Sequence, residues 1–175
     1  MQYQASIRLM LIALLGLCIV GLAACANNGV KPVSETKEHE SAIYEIAVAP
    51  NVSYQDVVDS LKTISEGKNF VNPANFPLGE HMKARGQDPG GVLEVRAFCN
   101  LGLGADIMLD HPEFVVFAPC RIGLYEKKSK LYLGLDRPTY DLKSIKNPTK
   151  RAKKAAQELE DTLIDIMTKA SRGDI

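Results

Sequence analysis

The last regular segment of the chain constrains the fold most. From about Lys150 to Ala170, apolar residues fall at Ala152, Ala155, Ala156, Leu159, Leu163, Ile166, Met167 and Ala170. These spacings of three and four place them in one stripe along a helix. A helix with a single apolar stripe needs a surface to cover, and the segments before it read as strands that supply one. Val92 to Cys99 alternates cleanly, with Val92, Glu94, Arg96 and Phe98 opposed to Leu93, Val95, Ala97 and Cys99. Ile43 to Ala49 is β-branched and aromatic and stops at Pro50-Asn51. A short strand is predicted at Asn69 to Asn72, and three more at Phe114 to Phe117, Cys120 to Tyr125 and Lys130 to Leu135, with Glu126 to Ser129 as a hairpin turn.

Ser53 precedes a second helical pattern in which Val57, Val58, Leu61 and Ile64 share a face, Asp56 favours the helix start and Gly67 ends it. One helical turn near Leu78 to Ala84 and a short helix near Gly104 to Leu109 complete the elements. Leu101-Gly102-Leu103-Gly104 lacks the spacing of a phosphate cradle and reads as a tight turn. The expectation is an α+β fold over residues 42–175: an antiparallel sheet with helices on one face, in the order strand, helix, four strands, helix.

The other end of the chain is of a different kind. Arg8 is the one charged residue ahead of an apolar run from Leu9 to Ala24, which closes on Leu22-Ala23-Ala24-Cys25. The run is shorter than the roughly 20 residues that cross a bilayer core, and small residues rather than a basic cluster follow it. Residues 1–24 therefore read as a signal peptide, and Leu22 to Cys25 resembles the lipobox of bacterial lipoproteins, in which the cysteine takes the lipid. Ala26 in place of an aspartate favours the outer membrane, facing the periplasm, by the same resemblance. Residues 25–41, poor in large apolar side chains and rich in Asn, Ser, Glu, Lys and Pro, read as the lipidated cysteine and a flexible tether.

The 21 basic and 21 acidic residues balance, so nucleic acid, which calls for a basic excess or stripe, is not an expected partner. Lys143, Lys146, Lys150, Arg151, Lys153 and Lys154 cluster before and within the last helix. The plain reading is a solvated face balanced by Glu158, Glu160, Asp161 and Asp165. The alternative is contact with anionic headgroups or a partner.

With Cys18 in the leader and Cys25 taken by lipid, Cys99 and Cys120 are the remaining cysteines. An oxidising compartment makes a disulfide one reading. The other is a functional thiol pair for redox exchange or sulfur handling, with Cys99 ahead of a helix and Arg121 beside Cys120. Arg96, Asn100, His111 and Arg121 are the candidate ligand-binding residues around them. Cys99, Cys120 and His111 match no standard zinc spacing, so no metal site is expected. No nucleophile elbow, Walker loop or dinucleotide fingerprint appears, and neither catalytic residues nor a cofactor is assigned.

The order Cys99-Asn100, His111-Pro112-Glu113, Pro119-Cys120-Arg121 and Tyr125-Glu126 resembles the core motif of the family called domain of unknown function 302. The resemblance extends from about Ile43 to Leu142 and departs at Leu101, where members usually carry proline. It implies a compact α+β domain able to form a homodimer, makes Cys99 and Cys120 a motif pair, and implies no reaction. Two functions stay open. One is an envelope lipoprotein presenting a binding or accessory domain to a small molecule or an envelope protein; the other is a redox or sulfur-handling protein using the two thiols. A pocket beside both thiols with Arg96 or Arg121 in it would favour the second. A flat apolar patch across the sheet would favour the first.

Overall fold

The computed structural model describes residues 41–175. The expected leader, Cys25 and the tether up to Glu40 lie outside the described residues.

The chain opens with β1 (Ile43–Ala47) and α1 (Tyr54–Gly67). The start of α1 is fixed by a capping box: the Ser53 hydroxyl accepts from the Asp56 amide at 3.1 Å, and the Asp56 carboxylate accepts from the Ser53 amide at 2.9 Å. Then follow β2 (Val71–Phe76), α2 (Leu78–Lys83), β3 (Leu93–Cys99) and α3 (Leu101–Met108). A 3-10 segment, Pro112–Phe117, leads into the hairpin of β4 (Cys120–Lys127) and β5 (Lys130–Asp136). Lys128 and Ser129, with φ of 53° and 59°, are the left-handed pair of its two-residue loop. The short α4 (Pro138–Asp141) and α5 (Lys150–Ala170) end the fold.

The strands form one antiparallel sheet in the order β1-β5-β4-β3-β2. Register sorts its two faces. Ile122 and Leu124 of β4, Leu133 and Leu135 of β5 and Phe98 of β3 are buried on one face, under Val57 and Leu61 of α1, Ile107 of α3 and the stripe of α5. All eight stripe residues named from the sequence are buried in α5. The expected α+β class and element order are thus the observed ones.

Three local expectations change. Phe114 to Phe117 lies in the 3-10 segment rather than in a strand: Pro112 starts the turn, Phe114 alone of the run is buried, and Val115 and Val116 point to solvent. The second strand begins two residues later than expected and runs on to Phe76 through a bulge between Val71 and Ala74. Leu101 to Gly104 is not a tight turn but the first turn of α3, capped by the Asn100 side chain, which accepts from the Leu103 amide at 3.1 Å.

Glu160 is a further correction. Its carboxylate is only 2% exposed rather than part of a solvated face. It accepts from Arg137 at 2.8 Å and from the Thr139 amide at 3.0 Å, and the Thr139 hydroxyl bonds it as well. Arg151 of the basic cluster pairs with Asp110 at the end of α3.

Candidate functional site

Cys99 closes β3 and Cys120 opens β4, so antiparallel pairing brings the family-like cysteines to the same end of the sheet. The direct partner of Cys120 across the strands is Phe98. Cys99 is therefore one residue out of register with it, and successive side chains of a strand leave on opposite faces. Both cysteines are free thiols.

They border a cleft that also takes in Asn100, Met108, Phe114, Phe117, Pro138, Asp141 and Leu159. Its walls are nearly all apolar and its volume is about 30 Å³. That is room for about two waters, since one needs roughly 10–15 Å³. Electrostatics follow from the apolar walls. Burial pushes the Cys120 thiol up to about 12, helped by the charges of Cys99, Asp141 and Asp136. Burial also raises Cys99. Asp141 rises to about 6 through burial and the neighbouring carboxylate of Asp136, against the pull of Arg121. A thiol reacts as its thiolate, so this setting quiets both sulfurs.

The other residues singled out from the sequence go elsewhere. Asn100 borders the cleft but its side chain is engaged as the cap of α3. His111, 9% exposed, accepts through Nε2 from the Thr149 amide at 3.0 Å and so ties the corner after α3 to the start of α5. Arg121 pairs with Asp136 on the opposite face of the sheet. Arg96 lies on the helix side, donating from Nε to Glu94 at 2.6 Å and from Nη2 to the Tyr54 hydroxyl at 3.2 Å. Neither arginine borders the thiol cleft. Among the described residues no group of three or more His, Cys, Asp or Glu could hold a metal ion.

The face of the sheet away from the long helices carries a feature that strand reading alone did not suggest. Gly123 of β4 and Gly134 of β5 are direct register partners. Together they floor a shallow groove of about 440 Å³ walled by Ile43, Val95 and Tyr125, with the Arg121–Asp136 pair at one end. Tyr125 leans over Gly134, where an added Cβ would come within 3.1 Å of its ring. Its hydroxyl is held by Glu45, which also accepts from Lys127 at 2.6 Å. Ile43 and Phe76 on this face are 58% and 52% exposed. Either glycine alone carries no signal in the sequence. Gly123 and Gly134 stand at equal distances on either side of the Lys128–Ser129 loop, however, so their pairing is recoverable once the hairpin is given a two-residue turn.

A five-stranded antiparallel sheet with long helices on one face and a paired-cysteine corner defines a small α+β domain class. Residues 44–170 match the family model described as Domain of unknown function DUF302, and the chain belongs to that family. The fold is similar to the crystal structure of an uncharacterized conserved DUF302 protein from Bacillus stearothermophilus, with a TM-score of 0.67 and 17% identity over 73% of this chain and 97% of that one. No curated protein matches the chain. Leu101, where the family usually has proline, is the first residue of α3, a position that suits proline as well because its amide needs no intrahelical partner.

Proposed function

We propose that the protein is a lipid-anchored lipoprotein of the bacterial envelope, held through Cys25 at the periplasmic side of the outer membrane, whose domain binds an envelope partner across its uncovered sheet face. The anchor rests on the lipobox-like Leu22 to Cys25, and the observation that carries the binding face is the glycine-floored groove with exposed Ile43 and Phe76 beside it. A mostly apolar groove with charged groups at its borders suits a binding face, and the Arg121–Asp136 pair closes one end of it while Glu45 and Lys127 lie beside it. The redox reading has weaker support: the thiol cleft is too small for a substrate, contains neither arginine, and raises both thiols.

The test is photo-crosslinking in cells, with a photoreactive residue placed at Val95 or Ile43 on the sheet face and, for comparison, at exposed Gln157 on α5. Discrete crosslinks confined to the sheet-face positions are expected, to an envelope protein or, as the family resemblance implies, to a second copy. Crosslinks from Gln157 alone, or from neither surface, would overturn the assignment of the face.

A further inference from the structure

On the helix side of the sheet, α1 leaves part of the β2 edge uncovered, and a cleft of about 260 Å³ opens there. Its floor is apolar: Val58 and Leu61 from α1 and Phe98 from β3, the last two almost fully buried. Its mouth is polar and positively charged, with Lys62 on one side and Arg96 and Asn75, register partners on β3 and β2, on the other. Asn72 is also at the mouth, but its amide is spent on the Ala97 carbonyl.

The hydrogen bonds within the domain leave donors over. Arg96 uses Nε and Nη2 within the protein, and its Nη1 has no acceptor among the described residues. The Lys62 ammonium and the Asn75 side chain have no partner among the described residues either. Glu94 and Tyr54 hold the guanidinium in place, so it is already oriented when a ligand arrives. A few polar donors, one of them an oriented guanidinium, above an apolar floor are the usual composition of a small-molecule site, and this volume lies just below the roughly 300–1,000 Å³ of sites for drug-sized ligands.

We infer that this cleft binds a small organic monocarboxylate, its apolar body on Val58, Leu61 and Phe98 and its carboxylate between Lys62, Arg96 and Asn75. A carboxylate fits because Arg offers it a charge-assisted hydrogen bond and Lys a point charge, while the apolar floor gives nothing to a bare inorganic anion. The site is separate from the partner-binding face, on the other side of the sheet, and does not depend on that reading.

The experiment is a ligand-observed NMR titration of the full chain in an uncharged detergent, with phenylacetate as the probe. Phenethylamine, inorganic phosphate and protein-free micelles are the comparisons. Saturable phenylacetate binding is expected, with phenethylamine and phosphate failing to compete. Lys62→Glu and Asn75→Asp change exposed side chains and should each weaken binding about tenfold, the scale of a lost charge-assisted hydrogen bond. Three results would overturn the inference: no saturable binding beyond the micelle control, equal competition by phenethylamine or phosphate, or unchanged affinity in both variants.

Discussion

Cys120 shows how a single side chain's surroundings decide its chemistry. A thiol walled by Phe98, Phe114, Phe117 and Leu159 loses the water that would stabilise its anion, and the nearby carboxylates of Asp141 and Asp136 act in the same direction. Iodoacetamide at pH 7 should therefore alkylate both half-buried thiols more slowly than free cysteine, Cys120 the slower of the two, followed by intact mass; rapid labelling of the native protein would restore the redox reading. Asp141 carries the matching pH effect. Its folded-state value is raised from 3.8 to about 6, so its protonated form is favoured in the fold, and the stability tied to it is present below the lower value and lost as pH rises through the higher. Asp141→Asn should leave the urea midpoint near that of the wild type at pH 4 and exceed it at pH 7.5. Equal differences at both pH values would show that the carboxyl does not titrate between folded and unfolded states.

Between elements, a buried polar connection runs from α5 to the end of β5. Glu160 receives Arg137 and both the amide and hydroxyl of Thr139, so one carboxylate fixes the start of α4 against the long helix. Glu160→Ala would leave the Arg137 guanidinium, 22% exposed, without its carboxylate and with only the Ser41 carbonyl to bond. The expected cost is about 3 kcal/mol, near the low end for breaking a buried pair, read from urea denaturation. A loss below about 1 kcal/mol, the size of a surface pair, would mean that water replaces the carboxylate. This residue also marks where sequence reading stops. The stripe of α5 is legible because every apolar member repeats at helical spacing, but Glu160 sits at its margin and looks like any other charge until Arg137 is placed opposite it. The capping box of α1 and the hairpin loop are legible for the same reason: their partners are close neighbours in the chain. Phe114 to Phe117 misleads because a short β-branched run carries no period long enough to separate a strand from a 3-10 turn. In the candidate site, the cysteines and Arg96 are visible as residues, whereas their assignment to different clefts, both of them lined by Phe98, needs the register.

For the molecule as a whole, the proposed attachment and the proposed binding face fall to different parts of the chain. No helix among the described residues is long and apolar enough to cross a membrane. The folded part therefore offers the bilayer no spanning segment of this kind, and the proposed anchoring rests on the residues before Ser41. A single acyl chain holds a protein only marginally, whereas several on one cysteine hold it firmly, at about 0.8 kcal/mol for each buried CH₂. Cys25→Ser would remove the proposed lipid acceptor. The wild-type protein should fractionate with outer membranes and carry an intact mass equal to the chain from Cys25 plus its lipid, whereas the Cys25→Ser variant should lose that lipid mass. The thermal unfolding midpoint of the domain, measured on both in the same uncharged detergent, should be the same, because every strand and helix among the described residues lies within residues 42–175. A wild-type mass that retains the leader without added lipid would instead make Leu9 to Ala24 an uncleaved anchor. A drop in the unfolding midpoint on Cys25→Ser would show that the anchor supports the fold as well as holding it at the membrane.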